Sequence, residues 1–201
     1  MDETRSHARS PVVSPGYLAV LLYGWLVSLC VFSGAALADE ADRRRVEISL
    51  SIFPRIVAVD EQFRQKLDLR GRVDILLVYD ADEVGARQLA TRLEQQNRSL
   101  GGVELVARVG RVGKGLVADT GVPSAVFVAE RLTGTQLARL MRDAERERRM
   151  VFSPFPGDVE RGVTVGLSVT NRVKPYFNMA ALARAEVKIN PLLLKMSKRY
   201  E

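Results

Sequence analysis

The residues best placed to do chemistry are the carboxylates Asp80, Asp82 and Glu83, which follow at once on the apolar run Ile75-Leu76-Leu77-Val78-Tyr79. Carboxylates at that spacing could hold a hard metal ion. The competing use is local, because an aspartate at a strand-to-helix turn accepts from the unpaired amides of the first helical turn. Glu130 and Arg131 follow a second apolar run, Ala125-Val126-Phe127-Val128-Ala129. Asp80, Asp82 and Arg131 therefore share one end of the expected fold, where α/β proteins bind small molecules. Other chemistry is scarce: His7, Trp25 and Cys30 are single and all fall in the first 38 residues. Beyond them there is no thiol, no Ser-His-Asp triad and no His or Cys ligand for zinc. No catalytic residue, metal site or cofactor is expected there.

Positioning these groups requires a buried strand and a helix behind it. The run from Asp74 to Tyr79 lacks polar alternation and reads as a strand covered on both faces. Val84 to Gln96 follows as a helix, with Ala86, Leu89, Ala90 and Leu93 on one face. A buried strand feeding a capped helix opens a βαβ unit. The expected class is α/β: one three-layer domain with a central, mainly parallel sheet, helices on both faces, and a C-terminal hairpin plus helices.

The chain opens with Arg5, His7 and Arg9, an apolar run from Tyr17 to Phe32, and small residues ending in Ala36-Leu37-Ala38. This order reads as a secretory signal over 1–38, cleaved after Ala38, with the domain at 39–201 in the periplasm. An uncleaved anchor is the alternative, since the apolar run is nearly long enough to span a bilayer. The formal charge of +6 favours anionic surfaces such as lipid head groups or cell-wall polymer. Nucleic acid is not expected as a partner, because export and scattered basic residues argue against it.

Further along, Val46, Leu50, Phe53 and Val57 mark a helix that should end or kink near Pro54. Gly110 to Gly115 matches neither a P-loop nor a dinucleotide fingerprint and reads as a glycine-rich turn. Thr133 and Gln136 form a capping box for a helix whose inner face is Leu137, Leu140, Met141 and Ala144. Its other face is charged, with Arg139 and the run Arg146-Glu147-Arg148-Arg149. The stiff loop Ser153-Pro154-Phe155-Pro156-Gly157-Asp158 either connects strands or offers Phe155 as an exposed anchor. With the basic edge Arg161, Arg172 and Lys174, Phe155 and Asp158 make the candidate partner-binding surface. Val163–Val169 and Val173–Phe177 read as a hairpin. Asn178 caps a short helix, and Asn190-Pro191 opens a last one whose Leu192, Leu193 and Met196 should pack inward, with Lys195, Lys198 and Arg199 in its final turn.

Three stretches carry a resemblance: Gly162-Val163-Thr164-Val165-Gly166-Leu167; Asn178 before a helix with Ala181 and Ala185; and Val187-Lys188-Ile189-Asn190-Pro191-Leu192-Leu193-Leu194-Lys195. In this order they resemble the YfiR-like family of exported bacterial proteins. The likeness lies in the C-terminal third and is only topological before it. It implies a small periplasmic α/β domain of a kind that is often a homodimer and is not known as an enzyme. In that family the best-known role is restraint of an inner-membrane diguanylate cyclase, which lowers cyclic-di-GMP signalling. The inner-membrane signalling protein is thus the implied partner. Two departures stand out: the family regulator's disulfide cysteines are missing, and Pro175-Tyr176-Phe177-Asn178 replaces Phe-x-Ile-Asn. The strand-then-acidic-turn pattern also resembles a phosphoacceptor receiver domain, but that chemistry needs cytoplasmic phosphodonors.

Overall fold

Strand β1, Val73–Tyr79, is buried through its first six residues and pairs in parallel on both sides, with β3 (Val103–Arg111) and β4 (Ala125–Val128). A strand covered on both faces has no solvent side to keep polar, which accounts for its unbroken apolar run. The computed structural model describes residues 40–201, and Asp42–Glu201 forms one compact unit. The expected leader 1–38, its cleavage after Ala38 and Cys30 lie outside the described residues.

The sheet has eight strands in the order β2-β3-β1-β4-β5-β6-β7-β8. The others are β2 (Ser99–Leu100), β5 (Met150–Ser153), β6 (Val165–Val169), β7 (Val173–Asn178) and β8 (Lys198–Tyr200). From β3 to β6 every pairing is parallel; β2 joins β3 and β7 joins β6 antiparallel, and β8 runs parallel to β7. This is the mainly parallel α/β sheet with a C-terminal hairpin that the apolar runs predict.

Helix α1 spans residues 40–58, α2 Glu83–Gln96, α3 Gly134–Arg146, α4 Met179–Arg184 and α5 Pro191–Met196. Register puts Leu77, Phe127 and Phe152 side by side on one sheet face. Phe53 of α1 packs there, its ring centroid 5.6 Å from Phe127 and 5.0 Å from Phe152. Such pairs add about 0.5–1.5 kcal/mol each beyond the area they bury. Helix α2 lies beside α1, joined by the Arg92–Glu47 ion pair. The other face presents Leu76 and Val78, which line a cleft together with Leu140 of α3. Buried Asp74 also lies on that face, where it accepts from Arg108 Nε at 2.7 Å.

Two expectations are corrected here. Of the two outcomes expected near Pro54, the ending does not occur: helix α1 runs on to residue 58. Pro54 has no N–H for the Leu50 carbonyl, and Asn97 Nδ2 donates to that oxygen instead, at 3.4 Å. The last helix does not pack inward as a whole: Leu192 is 68% and Met196 66% exposed, and only Leu193 and Leu194 are half-buried. Lys198 and Arg199 are not in its final turn but in edge strand β8. Leu192 and Met196 are not covered by any other described element.

Candidate functional site

Connections leaving β1 and β4 diverge at the carboxyl edge of the sheet, because β3 and β4 lie on opposite sides of β1. Folds of this class bind ligands in that crevice. The turn after β1 aims three successive backbone amides at one point, and such a nest attracts an anion. The anion is the protein's own. Glu130, just past β4, accepts from the Asp80 and Ala81 amides through Oε1, at 2.5 and 2.6 Å, and from the Asp82 amide through Oε2 at 2.9 Å.

The carboxylates of Asp82 and Glu83 are engaged as well. Asp82 caps α2, accepting from Gly85 N at 2.8 Å. A Cβ at Gly85 would collide with the Asp82 carboxylate, so this cap requires glycine at the third helical residue. Glu83 accepts from the Tyr79 hydroxyl at 2.7 Å and from Arg87. That shared proton holds Glu83 below and Tyr79 above their usual ranges. Arg131 is clamped to Asp42 of α1 by two bonds of 2.6 and 3.0 Å. Its guanidinium also lies 5.2 Å from the Phe155 ring centroid.

The loop after β5 behaves differently from its sequence. Phe155, expected as an exposed anchor, is buried at 7% exposure, and Asp158 is buried at 2%. Ser153 donates its hydroxyl to Asp158 Oδ2 at 2.5 Å and accepts from Phe155 N at 3.2 Å, which pulls the loop inward. Arg161 Nη1 donates to Asp158 Oδ1 at 3.0 Å. Burial pushes the Asp158 carboxyl up from its ordinary value, against these bonds. Phe155 and Asp158 are therefore buried within the chain rather than presented on its surface, and Arg161 is paired with Asp158. Arg172 and Lys174 remain exposed on the β6–β7 hairpin.

The glycine-rich turn covers a small open cleft of ≈ 10 Å³, room for about one water, lined by Leu76, Val78, Gly110, Val112, Leu116 and Leu140 among others. Gly113 offers a carbonyl to Arg139 at 2.9 Å, so the turn receives a cation rather than cradling a phosphate. Asp80, Asp82 and Arg131 share the carboxyl edge but do not line this cleft. Among the described residues, no group of three or more His, Cys, Asp or Glu could hold a metal ion. No described helix is long and apolar enough to cross a membrane.

Sequence reading missed Glu130 as the occupant of the amide nest and missed the exposed rim at β8. The available signal for the first is an acid two residues past one parallel strand, facing the turn after its neighbour.

No family model matches the chain, and no curated protein matches it. Solved structures similar to it include a conserved domain protein from Vibrio cholerae O1 biovar El Tor, 15% identical with a TM-score of 0.45, covering 66% of this chain and 56% of that one. A second is an ABC domain in complex with L-Trp from Streptococcus pneumoniae, 11% identical with a TM-score of 0.46, covering 72% and 61%. The chain thus spans about three fifths of the length of each.

Proposed function

We propose that this protein is an exported regulatory or adaptor protein. It docks onto the extracytoplasmic part of an inner-membrane signalling protein, such as a diguanylate cyclase or a sensor kinase, and catalyses nothing. The observation that carries this reading is where free surface remains. At the carboxyl edge Glu130, Asp82, Glu83, Asp158 and Arg131 are bonded to groups of the same chain. At the C-terminal rim, by contrast, Leu192, Met196 and Tyr200 stand 68%, 66% and 38% exposed. Uncovered apolar side chains gathered in one segment mark a surface for a partner. The leader and the C-terminal motifs support export and the class of partner.

A small-ligand role has one feature in its favour, the cleft under the glycine-rich turn. Ligand sites usually enclose about 300–1,000 Å³, and this cleft, at ≈ 10 Å³, is far smaller. Docking is the better-supported reading.

The test is capture by the full chain, tagged and cross-linked in the native membrane. Recovery of a cyclase, kinase or other sensor is expected. An extract that yields none, or turnover by the purified protein, ends the reading. A thermal-shift screen of amino acids, sugars and muropeptides checks the alternative, since a tight ligand raises the melting temperature.

A further inference from the structure

We infer that the partner engages the C-terminal rim by adding an acidic, extended segment to the sheet beside β8. This rests on the docking reading and names its surface and chemistry. Strand β8 is the last in the sheet order, and all three of its residues are exposed. Among the described residues nothing pairs with its outer side, whose backbone N–H and C=O groups are the template for strand addition. Part of β7 is also uncovered, because β8 begins its pairing only at Tyr176. Pro175, just before that point, cannot donate to a neighbour, so the usable edge is β8 itself.

The edge is held in place before any partner arrives. Lys198 Nζ sits 4.3 Å from the Tyr176 ring centroid, and the Tyr200 ring meets Tyr176 edge-on at 6.5 Å. Ser197 Oγ donates to Leu193 O at 2.6 Å and fixes the turn between α5 and β8. An ordered edge loses little conformational freedom on binding.

Charge selects the occupant. Lys198 and Arg199 are successive residues, so they project to opposite faces of the sheet. A strand laid alongside meets a cation on either face, with Lys195 close by in sequence and Lys174 on β7, all exposed. The one acid in the segment, Glu201, lies 4.0 Å from Arg199 in a pair that is largely in solvent. Carboxylates across from Lys198 and Arg199 are favourable, and cations there are not. A second copy would bring two basic rims together. Leu192 and Met196, four apart on α5 and both largely exposed, add apolar surface to the same C-terminal segment. A lipid surface would suit the apolar and basic groups but cannot pair with the open backbone.

The experiment uses the purified full chain and three probes. These are a blocked ten-residue peptide alternating glutamate and valine, its lysine counterpart, and vesicles of phosphatidylethanolamine with phosphatidylglycerol. The acidic peptide is expected to bind at least ten-fold more tightly than the basic one. Its binding should fall with added salt and protect the Lys198–Tyr200 amides from exchange. Lys198→Glu with Arg199→Glu should weaken it ten-fold or more, and the milder Lys198→Gln with Arg199→Gln severalfold, at unchanged melting temperature. Any of four results overturns the inference: no binding of the acidic peptide, equal binding of the basic one, preferential binding to the vesicles, or self-association that these variants abolish. If membrane capture recovers a sensor while the peptide does not bind, the docking reading survives and the strand does not. If the peptide binds but capture is empty, the reverse holds.

Discussion

The Glu130 carboxylate accepts from the Asp82 amide at 2.9 Å, while the Asp82 carboxylate accepts from Gly85 N at 2.8 Å. One acid thus anchors the turn and the next caps the helix that leaves it. Glu130→Ala leaves the Asp80, Ala81 and Asp82 amides without this acceptor and should cost about 1–2 kcal/mol in urea denaturation. Glu130→Gln, whose amide oxygen still accepts, should cost less. A Glu130→Ala variant as stable as the parent would remove the anchoring role.

Two buried aspartates should respond to pH in opposite directions. For Asp158, burial outweighs the bonds from Ser153 and Arg161 and raises the carboxyl above its ordinary value. The native pKa then exceeds the unfolded one, about 3.9. Its stabilising contribution is complete below that value and is lost as pH rises through the native one. The stability of Asp158→Asn relative to the parent should therefore increase from pH 4 to pH 7. For Asp68, burial also pushes upward, but bonds from the Arg72 amide and guanidinium and the Arg70 amide prevail, and the carboxyl is lowered. Its contribution is present above about 3.9 and is lost as pH falls through the native value. Asp68→Asn should cost stability at pH 7, and the deficit should shrink in acid. Urea titrations at four pH values decide this, and parallel curves for the two variants would refute it.

Much of the fold is legible because its signals are local. The inner faces of α2 and α3 bury the four residues each that helical spacing marks, and Thr133 with Gln136 forms the capping box three residues apart. The site is less legible, because its bonds join distant residues. Glu130 and Asp80 are 50 apart in sequence, and no pattern in either segment announces the other. The loop around Phe155 reads as exposed from its prolines and glycine, yet Arg131 stacks on the ring and Ser153 ties the loop down. Leu192, Leu193 and Met196 of α5 read as core from the sequence. Whether such a helix is covered depends on the layer outside it, which its own residues do not encode.

Pro54 and Asn97 should behave as a coupled pair. Asn97 Nδ2 serves both Leu93 O, at 3.1 Å, and the Leu50 carbonyl that Pro54 leaves without a helical donor. Asn97→Ala should cost about 1 kcal/mol. In a Pro54→Ala background the backbone N–H can take over at Leu50 O, so the same substitution should cost less. A double-mutant cycle measures the difference. Strict additivity would show that Asn97 does no more than close the end of α2.

At the opposite end of the sheet, Lys66 Nζ donates to Asp60 Oδ2 at 2.6 Å with both side chains about 5% exposed or less. Burial lowers the Lys66 pKa despite this bond, and it lowers that of nearby Arg149. Removing one member of a buried pair typically costs about 3–5 kcal/mol, because the other charge is left uncompensated. Asp60 also accepts from the Gln62 amide at 3.0 Å and is the only carboxylate bonded to Lys66 among the described residues. Asp60→Ala should therefore fall in the upper part of that range. Lys66→Met keeps the volume and removes a desolvated charge, while Arg149 remains to offset Asp60, so its cost should be smaller. Equal losses from the two substitutions would mean that the pair acts only through packing.

The docking reading separates binding from stability at α5. Leu192 and Met196 are about two-thirds exposed, so Leu192→Ser with Met196→Ser should change stability by no more than about 0.5 kcal/mol per site. Phe152→Ala, by contrast, removes a ring packed between Phe53 and Phe127 and should cost about 3–5 kcal/mol. The serine pair should still lose most of its membrane-partner capture, because apolar side chains that contribute little to the folded monomer are free to contribute to a complex. Retained capture with both serines in place would move the docking surface away from α5. Loss of stability without loss of capture would mean that the two side chains belong to the core after all.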